Sequence, residues 1–421
     1  MNNSVSQELL KFLQKSPTAF HAVQQMKSEL LAVDFTELKE NQRWNIECGK
    51  HYFVTRNDSS LIAFTIPENG IDKMHILTSH SDSPTFKIKE NPEIEVEKHY
   101  VKLNVEKYGG MLCAPWFDRP LSVAGRVIIK DKTNGQFTSK LVNIDRDLVM
   151  IPNLAIHMNR EINSGYNYNA QKDLLPLYGC GSPKGTFMEQ IAEAAGVEKD
   201  EILGHDLFLY NRQEGSIWGA SEEFISSGRL DDLQCAFASL QGFLSGEKKD
   251  CMAVHCVLDN EEVGSGTKQG AASTFLFDTL IRVHEALGYD GEDYRVHLAD
   301  SFMISADNAH PNYTEKADPT NRPYLNEGIV LKFNANQKYC TDAVSAAMFR
   351  DLCKRADVPV QTFTNRSDMA GGSTLGNISN TQVALNTVDI GLPQLAMHSP
   401  YETAGVKDTE YLVRAAKEFF C

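Results

Sequence analysis

The sequence predicts an α/β protein: an α/β/α sandwich catalytic domain interrupted by an inserted β-rich domain. Short apolar runs alternate with amphipathic helical periods toward both ends of the chain, a pattern that builds a sheet covered by helices. Between about residues 90 and 222 the texture changes to short β-rich pieces. At 421 residues the chain also exceeds what one hydrophobic core usually supports. The predicted division is therefore 1–89 with 223–421 as one discontinuous domain, and 90–222 as the insertion.

Each element follows from local pattern. Ser4-Val5-Ser6-Gln7 is a capping-box pattern ahead of a short amphipathic helix, and Ser16-Pro17 interrupts before a second helical stretch over about 18–31. The two read as a surface helix pair. Met74-His75-Ile76-Leu77-Thr78-Ser79 is a buried strand ending at His80, stopped by Ser81-Asp82-Ser83-Pro84. Ile94-Glu95-Val96-Glu97, Tyr100-Val101-Lys102-Leu103-Asn104-Val105 and Ala124-Gly125-Arg126-Val127-Ile128-Ile129 give the insertion its β character. Ala253-Val254-His255-Cys256-Val257-Leu258 runs into Asp259-Asn260-Glu261-Glu262, and residues 295–304 run into Ser305-Ala306-Asp307. Residues 329–333 and 383–390 add two strands, and helical periods cover 232–244, 271–287, 341–355 and 410–420.

Composition narrows the function. The hydrophobic share of 42% and charged share of 23% are those of an ordered globular protein. A formal charge of −15 opposes binding to nucleic acid or to an anionic membrane surface. Nine cysteines without a CxxC pair read as reduced structural thiols. The N-terminus lacks a signal-peptide pattern, and no apolar run approaches the ~20 residues of a membrane span, so a cytoplasmic location is expected.

In open sheets, ligand sites form beyond the carboxyl ends of strands, where His80, Glu261, Glu262 and Asp307 all fall. Singly, each has a plainer reading. Glu261-Glu262 fits a solvated loop, His80 a turn or core histidine, and an aspartate of Arg229-Leu230-Asp231-Asp232 an N-cap. Together they fit a hydrolytic dinuclear site, which needs one carboxylate to hold metal and another, unligated, to accept a proton from water. Asp82, two positions after His80, is suited to accept the second ring proton of a ligating histidine. Asp231 is the choice for a carboxylate bridging two dications. With Asp307 and with His398 in Ala396-Met397-His398-Ser399, the donors are mixed N and O, suited to zinc, cobalt or manganese rather than to a thiolate-loving metal.

The sequence resembles the aspartyl aminopeptidase and aminopeptidase I family of metallopeptidases. The resemblance is carried in order by SPTAFHAV from Ser16, TSHSDSP from Thr78, EKYGGMLCAPWFDRPLSVAGRV from Glu106, IPNLAIHMNREIN from Ile151, SGRLDDL from Ser227, DNEEVGSGTKQGA from Asp259, AGGSTLGNIS from Ala370 and QLAMHS from Gln394. It implies that His80, Asp231 and Asp307 hold one divalent metal, and that Asp231, Glu262 and His398 hold a second. Glu261 would then be the general base for a metal-activated water attacking the first peptide bond. The resemblance further implies that His157 is supplied across a homodimer interface built by the inserted domain, and that twelve subunits can form a tetrahedral shell. Lys332 matches a family lysine that contacts acidic N-terminal side chains of peptide substrates; a solvent-facing strand lysine is its plainer reading.

Three departures stand out. AHPN at Ala309 is shorter than the commoner AHAxHPN, so His310 stands for one of two family histidines that contact substrate or oxyanion. HSPYE and GSTLGN bring Tyr401 and Asn377 in place of commoner residues. Two other function classes remain open: a related dinuclear amidohydrolase or carboxypeptidase, and a non-catalytic metal-stabilised assembly protein.

Overall fold

In the computed structural model, residues 4–181 and 183–420 are described. They form two compact units, one built from residues up to Asp82, Gly215–Met397 and Glu402 onward, the other from Ser83–Glu214 and His398–Tyr401.

The first unit is organised by a nine-stranded mixed sheet. Its order is Thr36–Leu38, His51–Arg56, Ser60–Thr65, Met252–Leu258, Met74–His80, Phe302–Ala306, Asn386–Gly391, Ile329–Phe333, Val360–Thr364. The four strands from Met252–Leu258 to Asn386–Gly391 are parallel to one another. Parallel strands covered on both faces read as continuous apolar runs, which is why these were visible in the sequence. Met252–Leu258 is buried at every position and splits its side chains by alternation. Ala253 and Val257 join the core under the helices Ser4–Lys15, Ala19–Ala32, Leu230–Ser245, Ala343–Arg355 and Asp408–Phe419. Met252, Val254, Cys256 and Leu258 join the opposite core with Phe275, Leu280 and Tyr294 from Phe275–Ala286 and Gly291–Ala299. This is the α/β/α layering expected. A four-stranded antiparallel sheet, Ser216–Trp218, Phe224–Ser227, Glu402–Gly405 and Gln394–Leu395, completes the unit.

The second unit is β-rich, with a six-stranded antiparallel sheet in the order Phe137–Asn143, Leu121–Lys130, Ile202–Asn211, Thr85–Val96, Tyr100–Tyr108, Leu177–Cys180. Its own core gathers Phe86, Leu103, Trp116, Val123, Leu207 and, from the helix Phe187–Ala195, Phe187 and Ile191.

The N-terminal helices form the expected amphipathic pair, with Leu9, Leu13, Met26 and Leu30 fully buried in the main core and Gln7, Glu8, Lys11 and Gln14 left exposed. Some local expectations change. Ser4-Val5-Ser6-Gln7 forms the first turn of Ser4–Lys15 instead of preceding it. Residues 295–304 are not one strand: the Asp290 carboxylate accepts from the backbone N–H groups of Glu292 and Asp293 and starts the helix Gly291–Ala299, so the strand begins only at Phe302. The eight described cysteines are free thiols, and among the described residues no helix is long and apolar enough to cross a membrane.

Candidate metal centre

Register builds the site. Leu258 pairs with His80 across two parallel strands, so the chain leaves both strands at the same level and His80 meets the turn carrying Glu261 and Glu262. The next strand, Phe302–Ala306, delivers Asp307 one residue beyond its end. Asp231 and Asp232 come from the first turn of Leu230–Ser245, where both depart from helical dihedrals. Donor atoms of His80, Asp231, Asp232 and Asp307 lie within 4.8 Å of one another, as do those of His80, Glu261 and Glu262.

The His80 ring is aimed by its surroundings. Nδ1 lies 3.1 Å from the carbonyl oxygen of Asp82, so Nδ1–H donates there and Nε2 is left as the ligand nitrogen. Nε2 is 3.5 Å from Asp231 Oδ1 and 3.7 Å from Asp307 Oδ1. The Asp82 carboxylate stands 3.4 Å from Nδ1, and its two oxygens accept from the backbone N–H groups of Glu261 and Glu262 at 3.1 and 3.2 Å. Asp82 therefore ties the ring to the turn that follows the neighbouring strand. Asp232 accepts the His80 backbone N–H at 3.0 Å, and Glu402 accepts that of Asp231 at 3.1 Å.

Charge is concentrated here among side chains largely withdrawn from solvent. Burial would lower the His80 pKa, yet Asp232, Asp231, Asp307 and Asp82 raise it well above its ordinary value. Burial and the charges of Asp307, Asp82 and Asp231 push Glu261 up to about 8, with His80 opposing. Burial with Asp231 raises Glu262, and burial with Asp307 and Asp231 raises Asp232. Asp307 is held below its ordinary value: burial opposes, but the Lys332 ammonium and His80 outweigh it. Carboxylates crowded around an imidazole repel one another unless a cation sits among them, and these hard oxygens with one nitrogen fit zinc. The donor set thus fits a divalent metal.

The remaining sequence-derived candidates lie as follows. Lys332 is buried in its strand, with Nζ 3.9 Å from Asp307 Oδ2 and 5.4 Å from the centre of the Tyr339 ring. Its ammonium does not face solvent. His310 is exposed, its ring 5.9 Å from that of Phe363. His157 is exposed in the second unit, between exposed Ile156 and Met158. His398 opens the segment His398–Tyr401 of that unit, where its carbonyl accepts from Leu112 N–H at 3.1 Å. Tyr401 donates to the Glu214 carbonyl at 3.0 Å, and Asn377 accepts from Ser373 at 2.9 Å. Sequence reading passed over Asp232, Glu402 and Thr374. Asp232 was visible only as a possible cap, whereas the Glu402 contact with Asp231 and the Thr374 hydroxyl bond to Asp307 Oδ2 are ones that no local pattern encodes.

A buried imidazole and carboxylate cluster beyond the carboxyl ends of parallel strands defines a metal-dependent hydrolase. The profile of the family Aminopeptidase I zinc metalloprotease (M18) matches residues 12–420, and the chain belongs to that family. It is 48% identical over 431 residues to the probable M18 family aminopeptidase 2 of Clostridium novyi, with 100% of each chain covered. Among solved structures it is similar to the chain in the cryo-EM structure of the Ape4 and Nbr1 complex, at TM-score 0.94 and 36% identity, covering 99% of this chain and 85% of that one. It is also similar to the S. cerevisiae mApe1 dodecamer, at TM-score 0.87 and 28% identity, covering 99% of this chain and 96% of that one. The resemblance read from the motifs is thereby borne out: this is a zinc metallo-aminopeptidase.

Proposed function

We propose that the enzyme releases the N-terminal residue of peptides at a centre for two divalent ions, zinc before cobalt or manganese. His80, Asp231 and Asp307 would hold one ion and Asp231, Glu262 and His398 the other. The observation that carries this reading is the convergence of His80, Asp231, Glu261, Glu262 and Asp307 at one end of the sheet. Ions bound there would polarise the scissile carbonyl, acidify water and offset the charge growing on the carbonyl oxygen.

Glu261, assigned to no ion, takes the proton of the attacking water as the C–O bond forms to the carbonyl carbon, and then hands that proton to the amide nitrogen, whereupon the C–N bond breaks and the amine departs. Asp82 keeps His80 and the Glu261-Glu262 turn in register for that transfer. His157, with exposed Leu154, Ile156 and Met158 around it, reaches the centre of a second copy, which makes the β-rich unit containing Ser83–Glu214, expected over residues 90–222, a dimerisation domain. The dodecamer of mApe1 supports a higher assembly of such dimers. The free thiols among the described residues support a cytoplasmic setting.

A narrower reading adds a preference for N-terminal Asp or Glu through Lys332, with His310 as a further substrate contact, although the ammonium lies out of solvent and already pairs with Asp307. Kinetics on peptides beginning with Asp, Glu, Leu or Lys, each with a free or an acetylated N-terminus, test both readings. Cleavage is expected only with free N-termini. Hydrolysis of the acetylated set alone would replace this proposal with an amidohydrolase or carboxypeptidase, and no turnover on any peptide would favour an assembly protein. An acidic preference that survives Lys332→Met would remove Lys332 from specificity.

A further inference from the structure

The two oxygens of Asp307 sit in different surroundings. Oδ1 lies 3.7 Å from His80 Nε2, on the side of the metal centre. Oδ2 accepts the Thr374 hydroxyl at 2.5 Å and lies 3.9 Å from Lys332 Nζ. Thr374 is 1% exposed, so its hydroxyl is shielded from bulk solvent.

The position of Thr374 makes that bond informative. It occupies the N-cap of the helix Leu375–Ser379 with extended backbone, at φ −143° and ψ −172°. A threonine there ordinarily turns its oxygen onto the helix's own N–H groups. Here no side-chain cap hydrogen bond forms, and the hydroxyl is committed 67 residues away to Asp307. The helix that carries it is fixed from below: Leu375 is fully buried, and a Cβ on Gly376 would lie 2.2 Å from Asp389 Oδ1. A buried, pinned hydroxyl that leaves its helix's own N–H donors and gives its proton to a carboxylate beside an imidazole is arranged for that carboxylate.

We infer that Thr374, seconded by the Lys332 ammonium, is a positioning residue that holds Oδ2 of Asp307 so that Oδ1 alone is offered to a metal ion. An aspartate without such a partner rocks between one-oxygen and two-oxygen ligation, and groups that orient ligands from behind typically contribute 10–100-fold in metal affinity. The inference rests on the reading of Asp307 as a ligand.

Zinc titration of the chelator-stripped full chain against a chromogenic competitor tests it, with the visible spectrum of the cobalt-loaded protein as a second readout. Thr374→Val is expected to weaken zinc binding at one site by roughly 10–100-fold and to change the cobalt band. Thr374→Ser should restore both, which loss of packing alone would not do. Thermal unfolding in chelator verifies that the Val variant is folded, and Thr374→Ala serves the same comparison with a smaller side chain. Wild-type zinc affinity in the Val and Ala variants, with affinity lost in Asp307→Ala, overturns the positioning role. Wild-type affinity in Asp307→Ala overturns the ligand reading itself.

Discussion

Gly391 ends the strand Asn386–Gly391 against the backbone of the metal centre. A Cβ there would lie 2.0 Å from the Asp307 carbonyl oxygen and 2.9 Å from Lys332 Cε. Because the nearest obstacle is main chain, no rotamer relieves it, and Gly391→Ala must move Asp307. The expected cost is about 1–3 kcal/mol of stability together with weaker zinc retention, read by denaturant unfolding in chelator and by zinc content after dialysis. An Ala variant with unchanged stability and zinc would contradict the packing described. At this scale legibility follows chain distance. His80, Glu261, Glu262 and Asp307 were readable because each directly follows an apolar strand. Asp232 was ambiguous because a pre-helical aspartate is usually a cap. Thr374 lies inside the AGGSTLGNIS motif, yet its partner is 67 residues away and no local pattern points to it.

Among the elements, Met252–Leu258 carries a buried titratable group unconnected with the chemistry. His255 is fully buried, with its ring 5.8 Å from that of Phe243 and Nδ1 3.3 Å from Ser239 Oγ. Burial depresses its pKa to about 3. The unfolded chain therefore takes up a proton near pH 6.5 that the folded chain refuses, so full stability is present above that pH and is lost as pH falls toward 3. The loss attributable to this group is about 1.4 kcal/mol per pH unit over that window. Urea unfolding in chelator between pH 7.5 and 5.5 should show a flatter pH dependence for His255→Leu than for the wild type, whatever its absolute stability. Equal slopes would contradict the assignment. Element patterning was legible where both faces of a strand are apolar and failed at residues 295–304, where an Asp290 capping box imposed a helix on a run that reads as strand.

At the scale of the molecule, the alternation of strands and helices and the β-rich middle were both readable from periodicity. The crossings between units, after Asp82 and before Gly215, were harder to read: the strand Thr85–Val96 begins almost at the first crossing, so texture changes only downstream of it. Family membership follows from the whole length of the chain, but the division of labour among the buried carboxylates is the central claim: some hold metal, and Glu261 moves the proton. The direct measurement is zinc content and turnover of Glu261→Gln side by side with the wild type. Two zinc ions per chain in both proteins, with kcat lowered by about 10²–10⁴-fold in the variant, is the expected result. Full turnover in Glu261→Gln, or loss of zinc in proportion to activity, would contradict the account.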